Sequence, residues 1–286
     1  MRHRLLCPAL IVGASMLAFG STTAAQNTPR SGAAKISNWG YQAEGPDPSL
    51  PPSRPGEKFD PHDLSGVWET NHDGTKGFRS MTEEKDIPPR TPKAQEIYLS
   101  RKTARPHEGK EAVEPAFGND PIMMCNPKGL VRQFMYTDPV EFIAAAKGDK
   151  IVTIFQSQGS PRTIWMDGRA LPVNPEPRWN GYSVGRWEGD TLVVETIGFD
   201  DRAWADQYGN VYSADMHLEE RWRRADRDTL EAVYRIDDPK SYTRPWVSTK
   251  KIWTRQAQEL REEFCAPMDE LHFNDVVRDP AAGLKR

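Results

Sequence analysis

The chain has 286 residues and a formal charge of −3, from 38 Lys and Arg against 41 Asp and Glu. This near-balance argues against a general polyanion binder, which shows a basic surplus or stripe, so no nucleic-acid partner is expected. Nine Trp, ten Phe and eight Tyr are too many aromatics for a wholly disordered chain, and 24 Pro with 21 Gly point to turns and long loops rather than a helical bundle.

Residues 1–25 have the three-part plan of a secretory signal peptide. Arg2 and Arg4 form the positive region, Leu5 to Gly20 the apolar run, and Ser21-Thr22-Thr23-Ala24-Ala25 the small-residue cleavage site. The run holds Pro8, Gly13 and Ser15 and is shorter than the ~20 apolar residues a spanning helix needs. No later segment is apolar enough to span a bilayer. The expectation is an exported, periplasmic or extracellular protein whose mature charge moves from −3 to −5 as two Arg leave. Cys7 leaves with the signal, and Cys125 and Cys265 remain. In an oxidising compartment an even pair reads as a disulfide. The alternative is a nucleophilic Cys with a His partner.

Residues 26–61 are rich in Pro, Gly, Ser and charge and read as an extended arm or linker. Residues 62–286 read as one domain. It opens with a strand at Ser65–Thr70. A helix follows, with Thr91 as N-cap and Pro92 in its first position, running to about Arg105 before Pro106. Beyond about residue 130 the pattern is strand after strand. Phe142–Ala146 turns through Gly148-Asp149 into Lys150–Phe155, and Arg162–Met166 ends at Asp167-Gly168. After a Pro-rich loop, Gly181–Trp187 turns through Glu188-Gly189-Asp190 into Thr191–Thr196. A long loop leads to Met216–Arg224, then Thr229–Ile236, and finally Trp246–Thr254.

That is about nine strands joined mostly by hairpins. A meander of this length must protect its edges, and closure into a barrel does so directly. Gly66-x-Trp68 on the first strand resembles the short motif with which lipocalin-like barrels seal one end. The fold class expected is all-β: an antiparallel meander closing into a calycin/lipocalin-like barrel, with one helix and long loops before it. A curved two-sheet sandwich is the alternative. Such barrels hold one small ligand in the mouth or interior.

Several stretches resemble a large, mostly uncharacterised family of secreted bacterial proteins. They are Cys125–Leu130, Ile164-Trp165-Met166-Asp167-Gly168-Arg169, Trp179 to Thr196 with its GYSVGRWEGDTLVVET core, Gly198-Phe199, Met216 to Arg224, and Ile236 to Lys240. Two departures matter. Many members have His before the Pro that follows Asp-Gly-Arg, where this chain has Leu171, and many have His-Ser where this chain has Tyr212-Ser213. Roles of those two histidines do not carry over. A looser resemblance, to sphingomonad arylglycerol β-aryl ether hydrolases, implies cofactor-free hydrolysis of lignin-type ethers.

The candidate chemistry lies in the strands. Alternation on Met216–Arg224 puts His217, Glu219, Arg221 and Arg223 on one face and Leu218, Glu220 and Trp222 on the other. Glu220 is then a carboxylate among apolar groups, which must find a partner or rise in pKa. A raised acid suits general acid catalysis; an ion pair in a barrel wall is the alternative. Glu195, in Leu192–Thr196, is a second acid in an apolar strand. If both acids face one cavity, they could divide acid and base roles. Arg169 could bind an oxyanion at the barrel mouth, or simply pair with Asp167 in a turn. The candidate catalytic set is therefore Glu220, Glu195, His217 and Arg169. Tyr182, Arg186, Asp167, Trp165, Trp179 and Trp187 are the candidate substrate-binding residues, suited to a small aromatic or hydrophobic molecule. His217-x-Glu219 offers two ligands where zinc needs at least three, and no metal or cofactor is expected. The expected function is an exported cofactor-independent hydrolase or lyase, with a small-molecule carrier barrel as the alternative.

Overall fold

The computed structural model describes residues 56–70, 80–114, 117–136, 138–157 and 161–263, and positions 265 and 281. The expected signal peptide, most of the Pro-rich arm, and His3, Cys7, His72 and His272 lie outside the described residues. All described residues belong to one compact unit.

Ten strands form one sheet: β1 (Gly66–Thr70), β2 (Val140–Ala144), β3 (Lys150–Phe155), β4 (Arg162–Trp165), β5 (Tyr182–Glu188), β6 (Thr191–Ile197), β7 (His217–Arg224), β8 (Thr229–Asp237), β9 (Trp246–Val247) and β10 (Lys251–Gln256). Strand β10 pairs with both β1 and β8, so nine strands close a barrel and β9 lies beside it on β8. The all-β barrel expected from the hairpin spacing is what forms.

One junction departs from the antiparallel meander. Strands β4 and β5 are parallel, with Ile164 opposite Ser183 and Trp165 opposite Val184. The connection through residues 166–181 carries the chain back to the end at which β4 began. Gly185 makes the crossing possible, because a Cβ there would lie 2.6 Å from Met166 Sδ and 2.9 Å from Ile164 Cγ2. The last expected strand is also split. Ser248 N donates to Tyr234 O (2.8 Å) while its Oγ accepts from Tyr234 N (2.9 Å). Thr249 N then turns away to Met81 O (3.0 Å), interrupting the ladder before Lys251.

Helix α1 (Pro92–Ser100) starts as expected, with Thr91 Oγ1 accepting from Ala94 N at 3.3 Å. It stops at Ser100 rather than near Arg105 because Arg101 is drawn off, its guanidinium donating to Gly209 O (3.1 Å) and Asn210 O (2.7 Å). A second, one-turn helix, α2 (Leu130–Gln133), is buried along its whole length.

Strict alternation on β8 sends Leu230, Ala232, Tyr234 and Ile236 inward, and β7 contributes Leu218, Glu220 and Trp222. Phe134, just after α2, stacks on Tyr234 at 4.5 Å, and Trp222 meets Trp253 at 5.6 Å and Phe142 at 5.2 Å. These rings fill the lumen. Each large side chain so buried contributes about 1.5–3 kcal/mol. Trp68 is fully buried and its Nε1 donates to Leu64 O at 2.9 Å. The Cys125–Cys265 disulfide forms, Cα to Cα 5.7 Å, tying the segment before α2 to the C-terminal tail. It also removes the alternative of a free nucleophilic thiol.

Candidate functional site

The two acids do not meet. In the β6–β7 register Val194 lies opposite Glu220 and Glu195 opposite Glu219. Glu220 therefore points into the lumen, while Glu195 sits on the outer wall, its side chain 30 % exposed. The shared-cavity arrangement required for a paired acid and base is absent, because alternation puts them on opposite sides of one sheet.

Glu220 has found a partner. Arg162, on the inner face of β4, donates to its two carboxylate oxygens (3.0 and 2.5 Å), and Trp222 Nε1 adds a third bond (3.0 Å). The same guanidinium donates to Ser183 Oγ (2.8 Å) and Thr196 Oγ1 (2.9 Å). Glu220 is thus held as a buried, bidentate ion pair that stitches β4, β5, β6 and β7 together. Glu195 belongs to an outer-face network in which Arg186 reaches Glu188 (2.9 Å) and Glu195 (3.4 Å), and Arg221 reaches Glu188 (2.6 Å) and Glu219 (3.5 Å). His217 starts β7 on that outer face, opposite Asp237. Trp187 is placed elsewhere again, stacked on His62 at 4.3 Å.

Four of the expected residues do come together. Trp165, Arg169, Trp179 and Tyr182 line a cleft of about 540 Å³ along the β4–β5 seam, under the loop that joins those strands. Its size is that of an ordinary small-molecule site. The parallel pairing creates it, since two short strands start at the same end and their long connection must pass over them. Gly198 lets the loop close. It has φ +75°, and a Cβ there would sit 2.6 Å from Pro175 Cγ and 3.0 Å from Tyr182 Cδ2. The loop's return is pinned by Arg178 N to Gly198 O (2.9 Å), Asp200 N to Arg178 O (3.0 Å) and Leu130 N to Trp179 O (3.3 Å).

Electrostatically the cleft is cationic. Arg162, Arg169 and Arg178 line it, and among the described residues no Asp or Glu does. Arg169 lies 3.6 Å from the Trp165 ring centre and forks onto Asp167 with bonds of 2.6–3.0 Å. That fork holds the Asp167 carboxyl below the usual carboxylate range. Asp167 itself is outside the lining and positions Arg169. Arg178, which the sequence reading passed over, lies 4.1 Å from the Tyr182 ring centre. Its signal was faint: one Arg beside Trp179 in a Pro-rich loop. Arg162 was more legible, as a charge two residues before Ile164 on the inward face of a strand.

A second polar cluster was also missed. Lys128 Nζ contacts Asp138 Oδ2 and Ser157 Oγ, and Ser157 donates to Asp138. Burial, reinforced by the Asp138 charge, pushes the nearby Glu69 carboxyl from 4.5 to about 7. Lys128 faces a carboxylate, so Ser157 has an ion pair beside it rather than a free amine. Among the described residues no group of three His, Cys, Asp or Glu is placed to hold a metal ion. No family model, curated protein or solved structure matches the chain.

Proposed function

We propose that the protein binds a small aromatic molecule in the β4–β5 cleft, acting outside the cytoplasm as a binding or carrier barrel. The observation that supports this most is the convergence of Trp165, Trp179 and Tyr182 on one cleft of about 540 Å³. Aromatic rings pack against one another in the lumen, and the two carboxylates needed for paired acid–base chemistry face opposite sides of the wall. The Cys125–Cys265 disulfide fits an oxidising compartment.

Hydrolysis of a lignin-type aryl ether is the second reading. In its favour, Arg162, which holds Glu220, is itself part of the cleft wall. One experiment separates the two. The protein is titrated with a guaiacylglycerol β-aryl ether dimer by calorimetry, and the recovered dimer is weighed by mass spectrometry. A carrier returns it intact; a hydrolase releases the phenol and a water-added glycerol. Trp165→Ala is expected to weaken binding about ten-fold, a lost aromatic contact being worth about 0.5–1.5 kcal/mol beyond its buried area. Unchanged affinity in that variant would remove the cleft as the site.

A further inference from the structure

We infer that the cleft is built for an aromatic anion, a ring carrying one carboxylate or phenolate, and that Arg178 is the residue that reads the charge. This rests on the aromatic-cleft reading above.

The argument is a charge account of the lining. Arg162, Arg169 and Arg178 belong to the cleft lining, and among the described residues no acid does. Two of the three are already neutralised from behind. Arg162 is committed to Glu220 inside the barrel (2.5 and 3.0 Å), and Arg169 is forked on Asp167 (2.6–3.0 Å). Arg178, exposed on the loop, forms no ion pair among the described residues, and its guanidinium lies 4.1 Å from the Tyr182 ring centre. The cleft therefore carries one uncompensated positive charge, set against an aromatic wall.

The main chain that carries Arg178 is held in place. The Arg178 peptide bonds on both sides, through its N–H to Gly198 O and its carbonyl to Asp200 N, and it bridges to Phe199. The guanidinium meets the Tyr182 ring 4.1 Å from its centre, and its donors lie along its planar edge, the edge a carboxylate takes bidentately. A ring seated against Trp165 or Trp179 would bring its acidic substituent to that edge. The sequence alone had pointed to Arg169 for this role; its fork is already filled.

The test compares 4-methoxybenzoate with the neutral 4-methoxybenzamide, by calorimetry on the protein and on Arg178→Gln and Arg178→Lys. The benzoate is expected to bind the wild type about ten-fold tighter than the amide, a factor equal to about 1.4 kcal/mol. Added salt should shrink that ratio. Arg178→Gln should bring it close to one, the benzoate losing more affinity than the amide, and Arg178→Lys should keep part of it. Equal binding of the two compounds by the wild type, sensitive to Trp165→Ala, overturns this inference and leaves the aromatic cleft standing. Binding of neither compound removes both.

Discussion

Glu220 is either a buried structural charge or a catalytic acid, and a double-mutant cycle with Arg162 decides between them. Both side chains are essentially inaccessible, at 0 and 2 % exposure. Glu220→Leu removes two bonds to the guanidinium and the acceptor of Trp222 Nε1, leaving Arg162 with the hydroxyls of Ser183 and Thr196. Stranding one member of a buried pair costs about 3–5 kcal/mol, and the orphaned indole N–H adds about 1–3 kcal/mol. Domains of this kind have only about 5–15 kcal/mol in total, so the single variant should sit near unfolding. The double variant Arg162→Met/Glu220→Leu removes both charges. Ser183 and Thr196 still satisfy each other at 3.0 Å, and the indole alone is orphaned. Its cost should fall back to about 1–3 kcal/mol. Urea unfolding of the four proteins gives the coupling directly. A double variant that loses the sum of the two singles would refute the ion-pair account. So would a Glu220→Gln protein of undiminished stability that no longer turns over a substrate; that outcome would restore Glu220 as a catalytic acid.

Two further predictions follow from the same structure. The disulfide closes a loop with a sequence separation of 140. By the loop-entropy relation Cys125→Ser/Cys265→Ser should lose up to about 5 kcal/mol, read as a lower unfolding midpoint that reductant no longer shifts; a midpoint equal to the wild type's would contradict it. Glu69 titrates higher in the folded chain, from 4.5 to about 7, through burial first and Asp138 second. The folded state therefore binds this proton more tightly, and the contribution of Glu69 to stability is fully present below pH 4.5, falls as pH rises to about 7, and is level above. Allowing for partial solvent screening, the fall is about 1–2 kcal/mol. Glu69→Gln should flatten it, and thermal melts at pH 5 and pH 8 that keep the wild-type difference in that variant would show that another group is responsible.

The barrel was legible because its signals are local. Gly148-Asp149 and Glu188-Gly189-Asp190 mark turns by their chemistry, and the alternation of β7 placed Leu218, Glu220 and Trp222 on the buried face as found. The start of α1 was equally plain in Thr91-Pro92. What the sequence hid depends on partners distant along the chain. The parallel β4–β5 pairing rests on two opposed residue pairs, and nothing within Arg162–Trp165 distinguishes it from a hairpin arm. Strand β9 ends because Ser248 takes over bonds on Tyr234, a residue on another strand. The separation of Glu195 from Glu220 is a matter of register between β6 and β7, which alternation within either strand leaves open. Helix α2 is a single turn, too short to carry a period, and its burial comes from the barrel end it occupies. In the cleft, the aromatic residues could be named in advance, but the charge that matters could not. Arg169 and Arg178 look alike in the chain, and only the Asp167 fork tells them apart.

The nine tryptophans offer the most direct test of the cleft. Their indole N–H signals, assigned by single Trp→Phe variants, would be followed by NMR during titration with 4-methoxybenzoate. The account predicts that Trp165 and Trp179, in the cleft wall, shift with ligand, while Trp68, Trp222 and Trp253, packed in the barrel, do not. Shifts at Trp222 or Trp253 with Trp165 and Trp179 unmoved would place the ligand inside the barrel and contradict it.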